Sequence, residues 1–148
     1  MNRIRLILTL AILAIGLSLA ACGQEPVAAD HEDAVVVEEI QGTELARLTL
    51  SEHAAQRLDL QTGTVGEATV NGAQRKVVEA GAVIWDAHGD AWVYTSPEAL
   101  VFVRAPITIE HIDAERAVLA DGPDVGTTVV TVAVAELWGA ESGVGGGH

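Results

Sequence analysis

The run AWVYTSPEALVFVRAPITIEHID, Ala91 to Asp113, holds three of the chain's five aromatic residues together with two prolines and an arginine. Its apolar residues recur with period two. Trp92 and Tyr94 fall on one side of an extended chain and Val93 on the other. After a turn at Ser96-Pro97-Glu98, Leu100, Phe102 and Arg104 alternate with Val101 and Val103. Pro106 has no N–H to give to a ladder, so the reading places it at a strand break or an edge. Ile107, Ile109 and Ile112 then face inward while Thr108, Glu110 and Asp113 face out. The run therefore reads as paired short strands, with Trp92, Tyr94 and Phe102 filling a core that a small domain needs. Arg104 closes an apolar alternation, and a guanidinium in that position requires a carboxylate partner.

The same pattern extends in both directions. Upstream, KVVEAGAVIWD breaks at Gly81 and stops at Asp86–Asp90, a tight connection in which Gly89 is free to take a positive φ. Downstream, RAVLA is a further strand, DGPDVG a turn and TTVVTVAVA the strongest β run, followed by ELWGAESGVGGGH, one helical turn and a flexible tail. Before Arg75, LARLTL reads as a strand, Ser51 as the N-cap of a short helix carrying Glu52 in its first turn, and the chain from Leu60 as a strand again. Six or seven short strands at spacings of roughly 8 to 12 residues, with one short helix, predict a mainly β domain, a small antiparallel barrel or sandwich over residues 45–140. Residues 141–148 form the tail.

The first 44 residues read differently. Arg3 and Arg5 precede an apolar stretch, Leu6 to Leu19, too short for a comfortable permanent span, and LAAC ends in the chain's single cysteine, Cys22. LAAC resembles the bacterial lipobox, and that resemblance implies that residues 1–21 are a lipoprotein signal peptide and Cys22 the acylated first residue of the mature chain, its lipid the only attached group and the membrane its first partner. No other cofactor and no metal are expected. Gly23, where an Asp would mark retention at the inner membrane, points to the outer membrane of a periplasmic, lipid-anchored protein. Residues 22–44, dense in Glu, Asp and Ala, read as an acidic flexible tether spanning a few tens of Å, at roughly 5–6 Å times the square root of its length.

From Cys22 onward the chain carries six basic and 21 acidic residues, a net −15 with His neutral. That charge excludes nucleic acid and anionic membrane surfaces as electrostatic partners. With one cysteine, no internal disulfide forms.

The order AGAVIWDAHGDAWVYTSPEALVFVRAPITIEHIDAERAVLADGPDVGTTVVTVAVAELWGAE resembles the C-terminal, membrane-proximal part of periplasmic adaptor subunits, or membrane fusion proteins, of resistance-nodulation-division efflux systems. The family's P-x-x-A-V strand, D-x-x-G-x-x-W-V-Y hairpin, F-V-R-R-x-V strand, G-L-x-x-G-D-x-V-V turn and final G-A-x-x-L are similar to Ala82-Val83, Asp86–Tyr94, Phe102-Val103-Arg104, Gly122–Val130 and Glu136-Leu137. LTLSEHAAQRLDLQTGTV is similar to the helix-then-strand segment that opens the corresponding region of heavy-metal-type adaptors. Pro123 and Thr127 depart from the pattern. So does the direct passage between Val70 and Arg75, which leaves no room for the adaptors' lipoyl-like domain or heptad-patterned helical hairpin. The resemblance implies an accessory protein that docks on transporter or adaptor subunits, with Trp92, Tyr94, Phe102, Arg104 and Trp138 as docking or structural residues.

Catalytic chemistry finds little footing. His31, His53, His88, His111 and His148 are scattered without ligand spacing, and Asp86, His88 and Asp90 read as a hairpin loop rather than a metal site. GVGGGH lacks the Lys-Ser and helix that a phosphate cradle needs. Trp138 either caps the end of the barrel or presents an anchor, with capping the preferred reading. The alternative to docking is a metal- or small-ligand-binding envelope lipoprotein, motivated by the acidity and by Asp30–Asp33.

Overall fold

The computed structural model describes residues 33–143. The expected signal peptide, Cys22, Gly23, the acidic segment as far as residue 32 and the last five residues lie outside the described residues. The described chain is mainly β, one curled antiparallel half-barrel sheet with short helices against it. Ten strands are present rather than six or seven: β1 (Val35–Glu39), β2 (Ala46–Leu50), β3 (Gln61–Thr64), β4 (Gly66–Val70), β5 (Ala73–Glu79), β6 (Ile84–Trp85), β7 (Ala91–Glu98), β8 (Val101–Ile112), β9 (Arg116–Asp121) and β10 (Thr128–Val132). The helices are α1 (Glu52–Arg57) and α2 (Val134–Glu141).

The opening run of the sequence is the spine. β7 and β8 pair from Ala91↔Ile107 to Thr95↔Val103, with a register shift before Glu98↔Val101. Leu100 sits at φ 60° in the turn between them. β8 runs unbroken through Pro106, contrary to the expected strand end. The reason lies on its other side. β2 pairs with β8 only at Val101–Val103, and β9 only from Thr108 onward. Residues 104–107 thus have β7 alone as a neighbour, and the proline occupies a local edge in the middle of a long strand. By carrying two different neighbours along one side, β8 forks the sheet and begins its curl. The order is β3-β10-β7-β8-β9-β5-β4, with β2 also on β8, β1 on β2 and β6 on β7.

Period-two alternation sends side chains to two separate cores. Ala91 and Val93 of β7 join Val65, Val78, Ala117, Leu119 and Val129 inside the curl. Tyr94 and Phe102 join Leu48, Leu50, Val130 and Leu137 on the opposite face, which α1 and α2 cover. Ile107 is buried as expected and Ile109 is half-buried, whereas Ile112, at the frayed end of β8, is exposed.

Two boundaries differ from the sequence reading. The segment taken as tether contains β1, because Val35 and Val37 find register against Leu50 and Leu48 and extend the sheet by one strand. A turn at Ile40–Leu45 closes this hairpin, with Gly42 at φ 81° and the Thr43 hydroxyl donating to the Ile40 carbonyl at 2.8 Å. At the other end the single helical turn is a full helix, and Glu141 belongs to α2 rather than to the tail. One short helix was expected; it is α1, capped by the Ser51 hydroxyl accepting the Ala54 N–H at 3.2 Å, and α2 is the second. β4 and β5 meet through Asn71-Gly72 alone, both at positive φ, 51° and 79°. That is the geometry a two-residue hairpin turn demands.

Candidate docking face and its buried arginine

Arg104 leaves β8 on the face that α2 covers. Its side chain is 9% exposed and that of Glu141, at the end of α2, 6%. The Arg104 Nε donates to Glu141 Oε1 at 3.1 Å, and Nη2 donates to the Glu44 carbonyl at 3.2 Å. The Tyr94 hydroxyl donates to Glu141 Oε2 at 2.5 Å, so each carboxylate oxygen has its own donor. The guanidinium also lies 4.2 Å from the Trp92 ring centroid and 4.9 Å from that of Trp138. Stacking of this kind favours the cation by about 0.5–2 kcal/mol per ring, more as water is excluded.

Each component has a local cause. Tyr94 and Arg104 are paired across β7 and β8, which sets them side by side. Trp92 lies two residues from Tyr94 on the same face, its indole N–H fixed by Asp86 Oδ2 at 3.0 Å. Trp138 and Glu141 lie on one side of α2 because residues three apart face the same way. Burial, reinforced by the hydrogen bond to Glu141 and that carboxylate's charge, pushes the Tyr94 hydroxyl far above its ordinary range despite the opposing Arg104 charge.

Of the five singled-out residues, Trp92 and Trp138 lie against the Arg104 guanidinium, Tyr94 shares its Glu141 partner, and Phe102 lies in the second core. Trp138 packs as a cap, half-buried against Leu137 and the second core. The carboxylate required by Arg104 was predicted, but its identity was missed. The signal was present in the stripe Val134, Leu137, Trp138, Glu141, the i, i+3, i+4, i+7 pattern of a helix face. No buried side-chain nitrogen or oxygen is left unpaired among the described residues. The cluster's donors and acceptors are directed at one another, which makes it a latch between α2 and the sheet.

The Asp86–Asp90 segment is a hydrogen-bonded turn. Asp86 Oδ1 accepts the N–H groups of His88 at 2.8 Å and Asp90 at 2.9 Å, and Gly89 takes φ 86°. Burial alone would raise Asp86, but the Asp90 N–H, the Trp92 indole and the His88 N–H outweigh it and hold the carboxyl below its ordinary value. Among the described residues no group of three or more His, Cys, Asp and Glu is placed to hold a metal ion.

Beside the latch the surface changes character. An apolar cleft of about 260 Å³ lies between β1, α1 and α2, lined by Val35, Leu50, Leu58 and Leu137, with Arg57 and Glu136 also in its wall. Next to it Val36 and Val37 of β1 are 44% and 42% exposed.

No family model, curated protein or solved structure matches the chain.

Proposed function

We propose that the protein is a lipid-anchored accessory subunit of the cell envelope, held through Cys22 and acting by docking on transporter or adaptor subunits of an efflux-type assembly. The observation that carries this reading is the direct closure of β4 and β5 by Asn71-Gly72. At the point where a full adaptor would carry its lipoyl-like domain and helical hairpin, this chain makes a two-residue turn. What the described residues present is a β domain with surface to offer and no arm with which to bridge. The ordered motifs from Ala82 to Leu137 support the kinship, and the LAAC sequence at Cys22 supports the anchor.

The test is cross-linking of the full-length, membrane-attached protein in its native envelope followed by identification of its neighbours. A transport-assembly subunit is expected at enrichment well above that of an unrelated lipoprotein; equal enrichment in the two samples would remove this function. Replacement of Cys22 by Ser is expected to abolish labelling by radioactive palmitate and release the protein to the soluble fraction. Retained labelling would overturn the anchor.

A further inference from the structure

We infer that β1 is the docking edge and that its occupant is an extended, cationic segment of another protein, added to the sheet as an antiparallel or parallel strand. The inference rests on the docking reading and supplies its surface and the chemistry of its partner. It begins with backbone direction. The Ile40 N–H donates to Leu45 across the hairpin and the Ala34 carbonyl accepts from Ser51, so the even-numbered residues of this strand point their polar groups at β2. Alternation along a strand then turns the N–H and C=O groups of Val35, Val37 and Glu39 outward. β2 is the only strand paired to β1 among the described residues. A row of outward amides and carbonyls with the repeat of a strand is complementary to another strand and to little else.

Of the usual protections, bulge, lysine and proline are missing. The register from Val35↔Leu50 to Glu39↔Ala46 is continuous, with no bulge, and β1 contains neither Lys nor Pro. The two ends of the main strand order are less suited. β3 lies against Glu79, whose Oε1 would be 3.0 Å from a Cβ at Gly63, and β4 offers Glu67, Thr69 and small residues. β1 instead combines the exposed Val36 and Val37 with the adjoining apolar cleft.

Charge selects the occupant. Asp33, Glu38, Glu39 and Glu44 are all exposed on or around β1, and the nearest cation across the ladder, Arg47, is within 3.8 Å of Glu98. A second copy of the chain, itself at net −13, would bring two more glutamates to the same edge. A strand carrying Lys or Arg at alternate positions meets both the acidic rim and the valines.

The test uses the full-length chain in detergent micelles and two synthetic nine-residue peptides, one alternating lysine with valine and one alternating glutamate with valine. Amide hydrogen exchange is read residue by residue. The lysine peptide is expected to slow exchange at Val35, Val37 and Glu39 at least tenfold while leaving Val36 and Glu38 unchanged, because those amides already face β2. The glutamate peptide is expected to do nothing. Val37→Pro, which removes an outward N–H, is expected to abolish the effect, and Glu38→Lys with Glu39→Lys, which leaves the backbone intact, to reverse the preference between peptides. Slowing at β4 instead, equal slowing by both peptides, or no slowing overturns the inference. So does slow exchange of the three amides in the free monomer, or their protection in step with a concentration-dependent doubling of mass, which assigns the edge to a second copy. A failed peptide with a transport subunit still cross-linked moves docking to another surface. A protected edge without that cross-link removes the transport assembly alone.

Discussion

Arg104 and Glu141 are each nearly sealed from water, and the consequence of losing either is asymmetric. Removing the cation leaves a buried carboxylate with only Tyr94 as partner, a change of the kind that costs about 3–5 kcal/mol. Arg104→Met is therefore expected to lower the urea midpoint of unfolding sharply. The double variant with Glu141→Leu, which removes both charges at similar volume, is expected to recover most of the loss. Losses that simply add, leaving the double variant less stable than either single variant, would show that the two side chains act independently. Tyr94→Phe removes one hydrogen bond to a charged group and is expected to cost about 1.5–3 kcal/mol by the same measurement.

Tyr94 is the only tyrosine in the chain, so its ionisation has a clean ultraviolet signature. Its folded pKa is raised, first by burial and then by Glu141. The associated stability is fully present below the ordinary tyrosine value of about 10 and declines as pH rises beyond it. Phenolate absorbance is thus expected to appear together with unfolding in alkali; a phenolate step near pH 10 in the folded protein would contradict the burial of the hydroxyl. Asp86 and Asp113 carry the opposite sign. Asp113 is held below its ordinary 3.8 by the Glu115 and Arg116 N–H groups. Both contributions are present above that value and lost as pH falls through the depressed one.

At the scale of elements, the Asn71-Gly72 turn is the place where change is informative. Gly72 occupies left-handed backbone, and a side chain there is expected to cost about 1–2 kcal/mol; Gly72→Val read by thermal unfolding checks it. A ten-residue Gly/Ser insertion between Asn71 and Gly72 is expected to leave the circular dichroism of the domain unchanged, because loop closure grows only by about 0.6 kcal/mol for each doubling of length. The same elements separate what was readable in the sequence from what was not. The Trp92–Tyr94 and Phe102–Arg104 alternation, the Ser51 cap and the Gly89 turn are local, set by side-chain period and backbone freedom within a few residues, and each appears as read, whereas the turn read at Ser96-Pro97-Glu98 falls at Ala99-Leu100 and those three residues continue β7. β1 was not readable because its three valines form a strand only against Leu48 and Leu50, partners across a turn. The continuity of β8 through Pro106 depends on a gap between two other strands, and Glu141 could be assigned to Arg104 only once α2 was known to fold back 37 residues later.

For the whole molecule, charge dominates. A chain at net −13 repels itself when compact, and of its described ion pairs only Arg104–Glu141 is buried. The exposed pairs contribute little, about 0–1 kcal/mol each. Raising sodium chloride from about 10 mM to 0.5 M shortens the screening length severalfold, and the melting temperature is expected to rise because relief of repulsion outweighs loss of surface pairs. A falling melting temperature would mean that the exposed pairs, such as Arg75–Glu110 at 2.8 Å, matter more than the net charge.

The latch also orders events in time. A chain delivered N-terminus first, from the ribosome or across a membrane, presents Arg104 37 residues before the carboxylate that neutralises it. Until then the second core lacks Val134, Leu137 and Trp138, and Tyr94 has no acceptor. The emerging chain therefore keeps one face of its sheet uncovered until α2 has arrived, and completion of the fold waits for the last described helix.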